Sequence, residues 1–172
     1  MTDIKQYESL MRRCIELAKI AKQRGDSPVG SIIGKDGQII AEGIEGGKTH
    51  KDITYHAEIE AIRNAIVTLG KTDLSDCCIV TTHEPCIMCS YVIRHHKIGL
   101  IIVGMTTGEI GGYSSILPVL LDRTISQWAT PPKIIDKILE RECTGLRDWY
   151  LLIGQKGWPT KVSYGPYRNW VS

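Results

Sequence analysis

The sequence predicts an α/β sandwich, and three observations predict it. Helix-like and strand-like periods alternate along the chain, an Asp-Gly turn joins two β-branched runs, and two helical segments each begin at a cluster of His, Glu or Cys. A chain of 172 residues lies within the size of one domain and can bury a sizeable core without a staple. No repeat, low-complexity tract or second core pattern divides it. The expectation is a single domain over 1–172, with a core over about 3–125 and a helical, aromatic tail over about 126–172.

The elements follow in order. Residues 3–24 place Tyr7, Leu10, Met11, Cys14, Leu17, Ala18 and Ala21 at helical spacing, with charges between them and Gly25 as a stop. In PVGSIIGKDGQIIAEGI two β-branched runs flank Lys35-Asp36-Gly37, which predicts an antiparallel hairpin. From Tyr55, YHAEIEAIRNAIVTLG puts Ile59, Ile62, Ala65, Ile66 and Leu69 on one helical face and ends at Gly70. CCIVTT reads as a strand, PCIMCSYVIRHH as a helix with Pro85 in its first turn, and IGLIIVG as a buried strand.

After Gly104 come a glycine-rich loop, TTGEIGGYSS, an apolar helical segment around Ile116 to Leu121, and a break at Pro131-Pro132. KIIDKILERECTGL is read as another helix. The tail from Gln155 carries Trp158, Tyr164, Tyr167 and Trp170, too aromatic a composition for a disordered end.

Lys and Arg total 21 against 19 Asp and Glu, a balance too even for a surface built mainly for nucleic acid or an anionic membrane. No run approaches the ~18 apolar residues of a membrane span, and MTDIKQYESLMRRC lacks the apolar centre of a secretion signal. A cytoplasmic, reducing setting is expected. The six cysteines, Cys14, Cys77, Cys78, Cys86, Cys89 and Cys143, are accordingly read as thiols.

Cys86 and Cys89 lie at i and i+3 at a helix start, where unpaired N–H groups and the helix dipole favour thiolates, the form that binds zinc. Alone, a C-x-x-C is also the pattern of a redox pair or of two core cysteines. A partner stands thirty residues earlier, at the start of the preceding helix: His56 in HAE. One imidazole and two thiolates make a three-ligand zinc set with a fourth position for water, the arrangement of a catalytic site. Glu58, two residues on, is placed to move that water's proton to a ring nitrogen and a leaving amine. That reaction is hydrolytic deamination.

H-x-E with P-C-x-x-C is the zinc-deaminase signature, and the chain resembles the cytidine deaminase-like superfamily. The likeness is nearest the branch of tRNA adenosine deaminase, guanine deaminase and fungal cytosine deaminase, and runs roughly from the first helix through Ser115. DITYHAEIEAI resembles the family's D-P-T-A-H-A-E, and TTHEPCIMC resembles T-x-E-P-C-x-M-C. The resemblance implies a three-layer α/β/α sandwich around a mixed five-stranded sheet, and one zinc ion per chain on His56, Cys86 and Cys89. It further implies Glu58 as proton shuttle, an amino-bearing base, nucleoside or related aminoheterocycle as substrate, and a homodimer.

Departures from the family pattern bear on the substrate. The resemblance puts an asparagine that binds the ring eleven residues before the motif histidine, where this chain has Glu45. An ionised carboxylate only accepts hydrogen bonds, so a Glu45 facing the pocket favours a ring with an N–H or amino group there; a shifted loop would leave Glu45 in solvent. TGEIG, Thr107 to Gly111, stands where the tRNA enzymes have D-x-K-x-G, which disfavours tRNA as partner. The backbone N–H of Ala57 is expected to contact substrate, His83 to lie beside the pocket rather than on the metal, and Tyr113 to stack on the base or pack in the core. His50, His95 and His96 read as surface groups.

Overall fold

A computed structural model describes residues 4–147. The aromatic tail expected from Gln155 onward lies outside the described residues. Helix α1, Ile4–Arg24, buries Tyr7, Leu10, Met11, Cys14, Leu17, Ala18 and Ala21, the residues its period singles out. Strands β1, Gly30–Lys35, and β2, Gln38–Ile44, form the hairpin, and its two turn residues both have positive φ, Asp36 at 50° and Gly37 at 79°. That is the type I′ geometry for which Asp-Gly is suited.

A single helical turn, α2 at Gly47–His50, leads to α3, Ala57–Leu69, which ends at Gly70 in the left-handed region. Strand β3, Cys78–His83, passes into α4, Ile87–His95, and β4, Leu100–Met105, follows. Strand β5, Lys133–Ile135, and α5, Glu140–Gly145, complete the described chain. The strand order is β2-β1-β3-β4-β5. β1 is antiparallel to β2 and β3, whereas β3, β4 and β5 run parallel, so the sheet is mixed.

Alternation along the strands divides the core between two faces. Ile32, Val80 and Ile102 pack with α1 and α5, while Ile33, Ile79, Ile101 and Val103 pack with Ile62 of α3 and Ile93 of α4. The three-layer α/β/α arrangement follows directly. Cys77 and Cys78 point to opposite faces, each against a different layer.

Three sequence expectations change. Pro85 stands before the capping residue Cys86 and not in the first turn of α4. The apolar run at 116–121 forms only a 3₁₀ turn, Val119–Leu121, with Ile116 and Leu117 exposed and Leu120 alone buried. KIIDKIL is not helical at its start: Lys133 to Ile135 pair with Leu100 to Ile102 as the edge strand, and the helix begins only at Glu140. Ile138, Cys143 and Leu146 join the first core layer, so the packed fold runs past the boundary expected near residue 125.

Candidate active site

Past the carboxyl end of β3, the starts of α3 and α4 come together. His56 is the N-cap residue of α3 and Cys86 that of α4, both with extended backbone. Cys89 lies one turn into α4. Gly43 on β2 allows α3 to sit this close, because a methyl group there would collide with the Ala57 carbonyl and the Ala61 amide.

The three donor atoms lie within 4.8 Å of one another. Cys86 Sγ is 3.6 Å from Cys89 Sγ, and His56 Nδ1 is 3.6 Å from Cys86 Sγ and 3.4 Å from Cys89 Sγ. Zinc bonds of about 2.3 Å to sulfur and about 2.0 Å to nitrogen give tetrahedral edges of roughly 3.8 Å and 3.5 Å. The donor triangle therefore fits zinc. Hydrogen bonding with Cys89 and then His56 outweighs burial and holds Cys86 down to about 4, which makes it the thiolate of the pair. Cys89 is pushed up by its hydrogen bond with Cys86 and by burial, and His56 is raised to about 9, chiefly by Cys86.

Glu58 is buried beside this triangle, with Oε2 3.6 Å from Cys89 Sγ. The Thr81 hydroxyl of β3 donates to Oε1 at 3.2 Å. Burial raises Glu58 to about 7, against a backbone hydrogen bond and His56. A carboxyl in that range both takes and gives a proton near neutral pH.

A cavity of about 800 Å³ opens over these groups, lined by Glu45, His56, Glu58, His83 and Cys86 among others. That volume suits a small heterocycle. Glu45 thus faces the pocket and not solvent, raised by burial against His56 and two backbone N–H groups. His83 lines the cavity outside the donor triangle, with Nδ1 3.1 Å from Thr82 Oγ1. Burial, with Arg147 adding to it, pushes His83 down to about 4.

Of the two readings of Tyr113 the core one holds, and the Ala57 N–H has a partner in the protein. The Ala57 N–H donates to Glu45 Oε2 at 3.3 Å, so the carboxylate already occupies it. Tyr113 is absent from the cavity lining and packs against the core layer of α3 and α4, and among the described residues its buried hydroxyl has no hydrogen-bond partner.

Other lining groups carried no sequence signal of their own: Ser27 and Val29 ahead of β1, Lys48 of α2, and Thr144 and Arg147 at the end of α5. Thr107, already marked by its departure from the family pattern, also lines the cavity. Glu84 has a structural task that its motif position did not reveal. Its carboxylate accepts from the backbone N–H groups of Thr107, Tyr113 and Ser114, and from the Ser114 hydroxyl, fixing the loop that carries Thr107 and Ile110 to the cavity.

Residues 4–105 match the family model of the cytidine and deoxycytidylate deaminase zinc-binding region. A tRNA-specific adenosine deaminase from Aquifex aeolicus is 35% identical over 119 residues, covering 69% of this chain and 79% of that protein. A guanine deaminase from Bacillus subtilis is 44% identical over 84 residues, 48% of this chain and 54% of that one. A tRNA(Ile)-lysidine synthase from Deinococcus radiodurans is 38% identical over 111 residues, covering 62% of this chain, and the chain spans only 19% of its length. A solved structure from work on A-to-I editing by tRNA:A34 deaminases at the wobble position superposes with a TM-score of 0.74 at 26% identity, covering 80% of this chain and 98% of that one. The matched family region takes in four of the five strands and the starts of both donor helices, and the chain belongs to the cytidine and deoxycytidylate deaminase zinc-binding family.

Proposed function

We propose that the protein is a zinc-dependent hydrolytic deaminase that releases ammonia from a purine or pyrimidine base, nucleoside or related aminoheterocycle. In this reading His56, Cys86 and Cys89 hold the zinc and Glu58 moves the protons. The observation that carries it is the donor triangle with tetrahedral edge lengths, bordered by a buried carboxylate and open to a cavity.

When bound, zinc supplies a Lewis acid that lowers the pKa of a water molecule toward neutrality. Glu58, buried and raised to about 7, would take one proton from the attacking water and pass it to the ring nitrogen. With the water oxygen bonded to the ring carbon, Glu58 would take the second proton from that new hydroxyl and give it to the amino group, so that the C–N bond breaks, a carbonyl replaces the amine and ammonia departs. Thr81 holds one Glu58 oxygen, leaving the other for the transfer. The cavity walls position the ring and restrict water.

An ammonia-release screen of the zinc-loaded protein tests this reading, with guanine, adenine, cytosine, their nucleosides, and pterin-like and triazine-like amines. Turnover of at least one ring is expected. Full zinc occupancy with no turnover on the panel would instead favour a non-catalytic zinc-stabilised binding module.

The Aquifex relative and the A34 deaminase structure support a second reading, tRNA wobble-adenosine deamination. Against it, Thr107 and the exposed Glu109 stand where the D-x-K-x-G pattern has an acid and a lysine. A gel shift with transcribed tRNA at low salt decides, since binding through phosphates is strongest there; no shift eliminates this reading.

A homodimer belongs to the proposal. Ile110, Ile116, Leu117, Leu121 and Ile125 are large apolar side chains left exposed, and covering such side chains is what an interface between two copies would do. Sedimentation equilibrium at twice the chain mass is expected. A reducing, cytoplasmic setting is supported by six cysteines of which none is in a disulfide. No helix of the described residues is long and apolar enough to cross a membrane.

A further inference from the structure

Resting on the deaminase reading, we propose that Glu45 makes one wall of the cavity an acceptor-only subsite. It selects rings that carry a second amino group where related rings carry a carbonyl.

Glu45 follows directly on β2 and is held there by its own backbone N–H, which donates to the Val29 carbonyl at 3.1 Å. It is 8% exposed and lines the same cavity as His56 and Glu58. Each of its two oxygens is held by a backbone donor. Oε1 accepts the Gly47 N–H at 3.2 Å and Oε2 the Ala57 N–H at 3.3 Å. A carboxylate offers about four acceptor sites, so two backbone bonds fix it and leave it able to accept more.

The same arrangement removes a donor from the wall. Ala57 sits between His56 and Glu58, and its N–H is the one backbone donor of that segment shown to meet Glu45. With that N–H engaged, a ring carbonyl turned toward Glu45 meets an acceptor and loses its water without replacement. An amino group in the same place donates to a charged oxygen. Leaving a buried polar group unpaired is costly, and hydrogen bonds to charged groups are worth more than neutral ones. A site built to hydrogen-bond one group can reject the analogue lacking it by far more than tenfold.

Isothermal titration of the zinc-loaded protein with two matched pairs tests the subsite: 2,4-diaminopyrimidine against cytosine, and 2,6-diaminopurine against guanine. Each pair exchanges one carbonyl with its neighbouring ring N–H for an amino group beside a bare ring nitrogen. The diamino ring is expected to bind at least about tenfold more tightly in each pair. In Glu45→Gln and Glu45→Asn, whose side-chain amides also donate, the preference should fall to about threefold or less. Equal or tighter binding of the carbonyl rings, no binding of any of the four, or the same preference in folded variants would each overturn the proposal. Thermal melting establishes whether the variants fold, and where they do not, the wild-type ratio decides. Ammonia measured in the same samples separates the two claims. A diamino preference without ammonia contradicts the deaminase reading, whereas ammonia without that preference contradicts the subsite.

Discussion

Glu58 has one side-chain hydroxyl holding it, that of Thr81, and this bond is the smallest part of the site that can be removed alone. Thr81→Val keeps the shape of a fully buried strand residue and deletes the donor. One hydrogen bond to a carboxylate is worth about 1.5 kcal/mol, so kcat should fall about tenfold while zinc content stays at the wild-type level. Steady-state kinetics with metal analysis checks this, and an unchanged kcat would show that Thr81 does not position Glu58. Glu84 is the opposite case, a buried carboxylate on the cavity wall with four donors on it. Glu84→Ala should cost about 3 kcal/mol in a urea melt and raise KM more than it lowers kcat, because it releases the cavity wall at Thr107 and Ile110. At this scale the meeting of His56, Glu58, Cys86 and Cys89 was legible because their placement depends on spacing from helix starts. The partner of the Ala57 N–H, and which of its two readings Tyr113 takes, were not, because both depend on where separate loops carry Glu45 and the core.

The short turn α2 shows how an element can depend on a residue far from it in sequence. Its N-cap, Gly46, has no side chain, and Asp26 supplies the cap instead. Oδ1 accepts the Lys48 and Thr49 N–H groups, each at 2.9 Å, and Oδ2 accepts the Thr49 hydroxyl. Burial works against the Asp26 charge, but these bonds outweigh it and hold the carboxyl below its usual range. Its stabilisation is present above the unfolded value of about 3.9 and is lost as pH falls through the lower folded one. Asp26→Ala should therefore cost about 2 kcal/mol at pH 7, a deficit that narrows below about pH 4 in denaturant melts. A deficit that grows toward acid would contradict the assignment. Elements were readable where turn chemistry and period agreed, as at Asp36-Gly37 and in α3. Lys133 to Ile135 were not, because a three-residue run of this kind fits a strand or a helix, and pairing with β4 decides between them.

Two apolar layers, one on each face of the sheet, hold the molecule without calling on the metal site. Zinc removal by a chelator should leave the far-UV circular dichroism unchanged, lower Tm through loss of a ligand that binds the folded state, and abolish ammonia release until zinc is restored. Loss of the secondary-structure signal on chelation would instead make the zinc structural. An α/β sandwich was legible from the alternation of helices and strands, and its three layers from the family resemblance of the HAE and PCIMC motifs. The contribution of α5 to the cavity rim was not, because Thr144 and Arg147 reach it only through the closing of β5 onto the sheet. The central claim, a zinc-dependent deaminase with Glu58 as proton shuttle, is tested most directly by ammonia release from wild type and Glu58→Gln at matched zinc content. Wild type should turn over at least one aminoheterocycle, and the variant should be slower by about 10²- to 10⁴-fold with its zinc retained. Equal rates in the two proteins would contradict the claim.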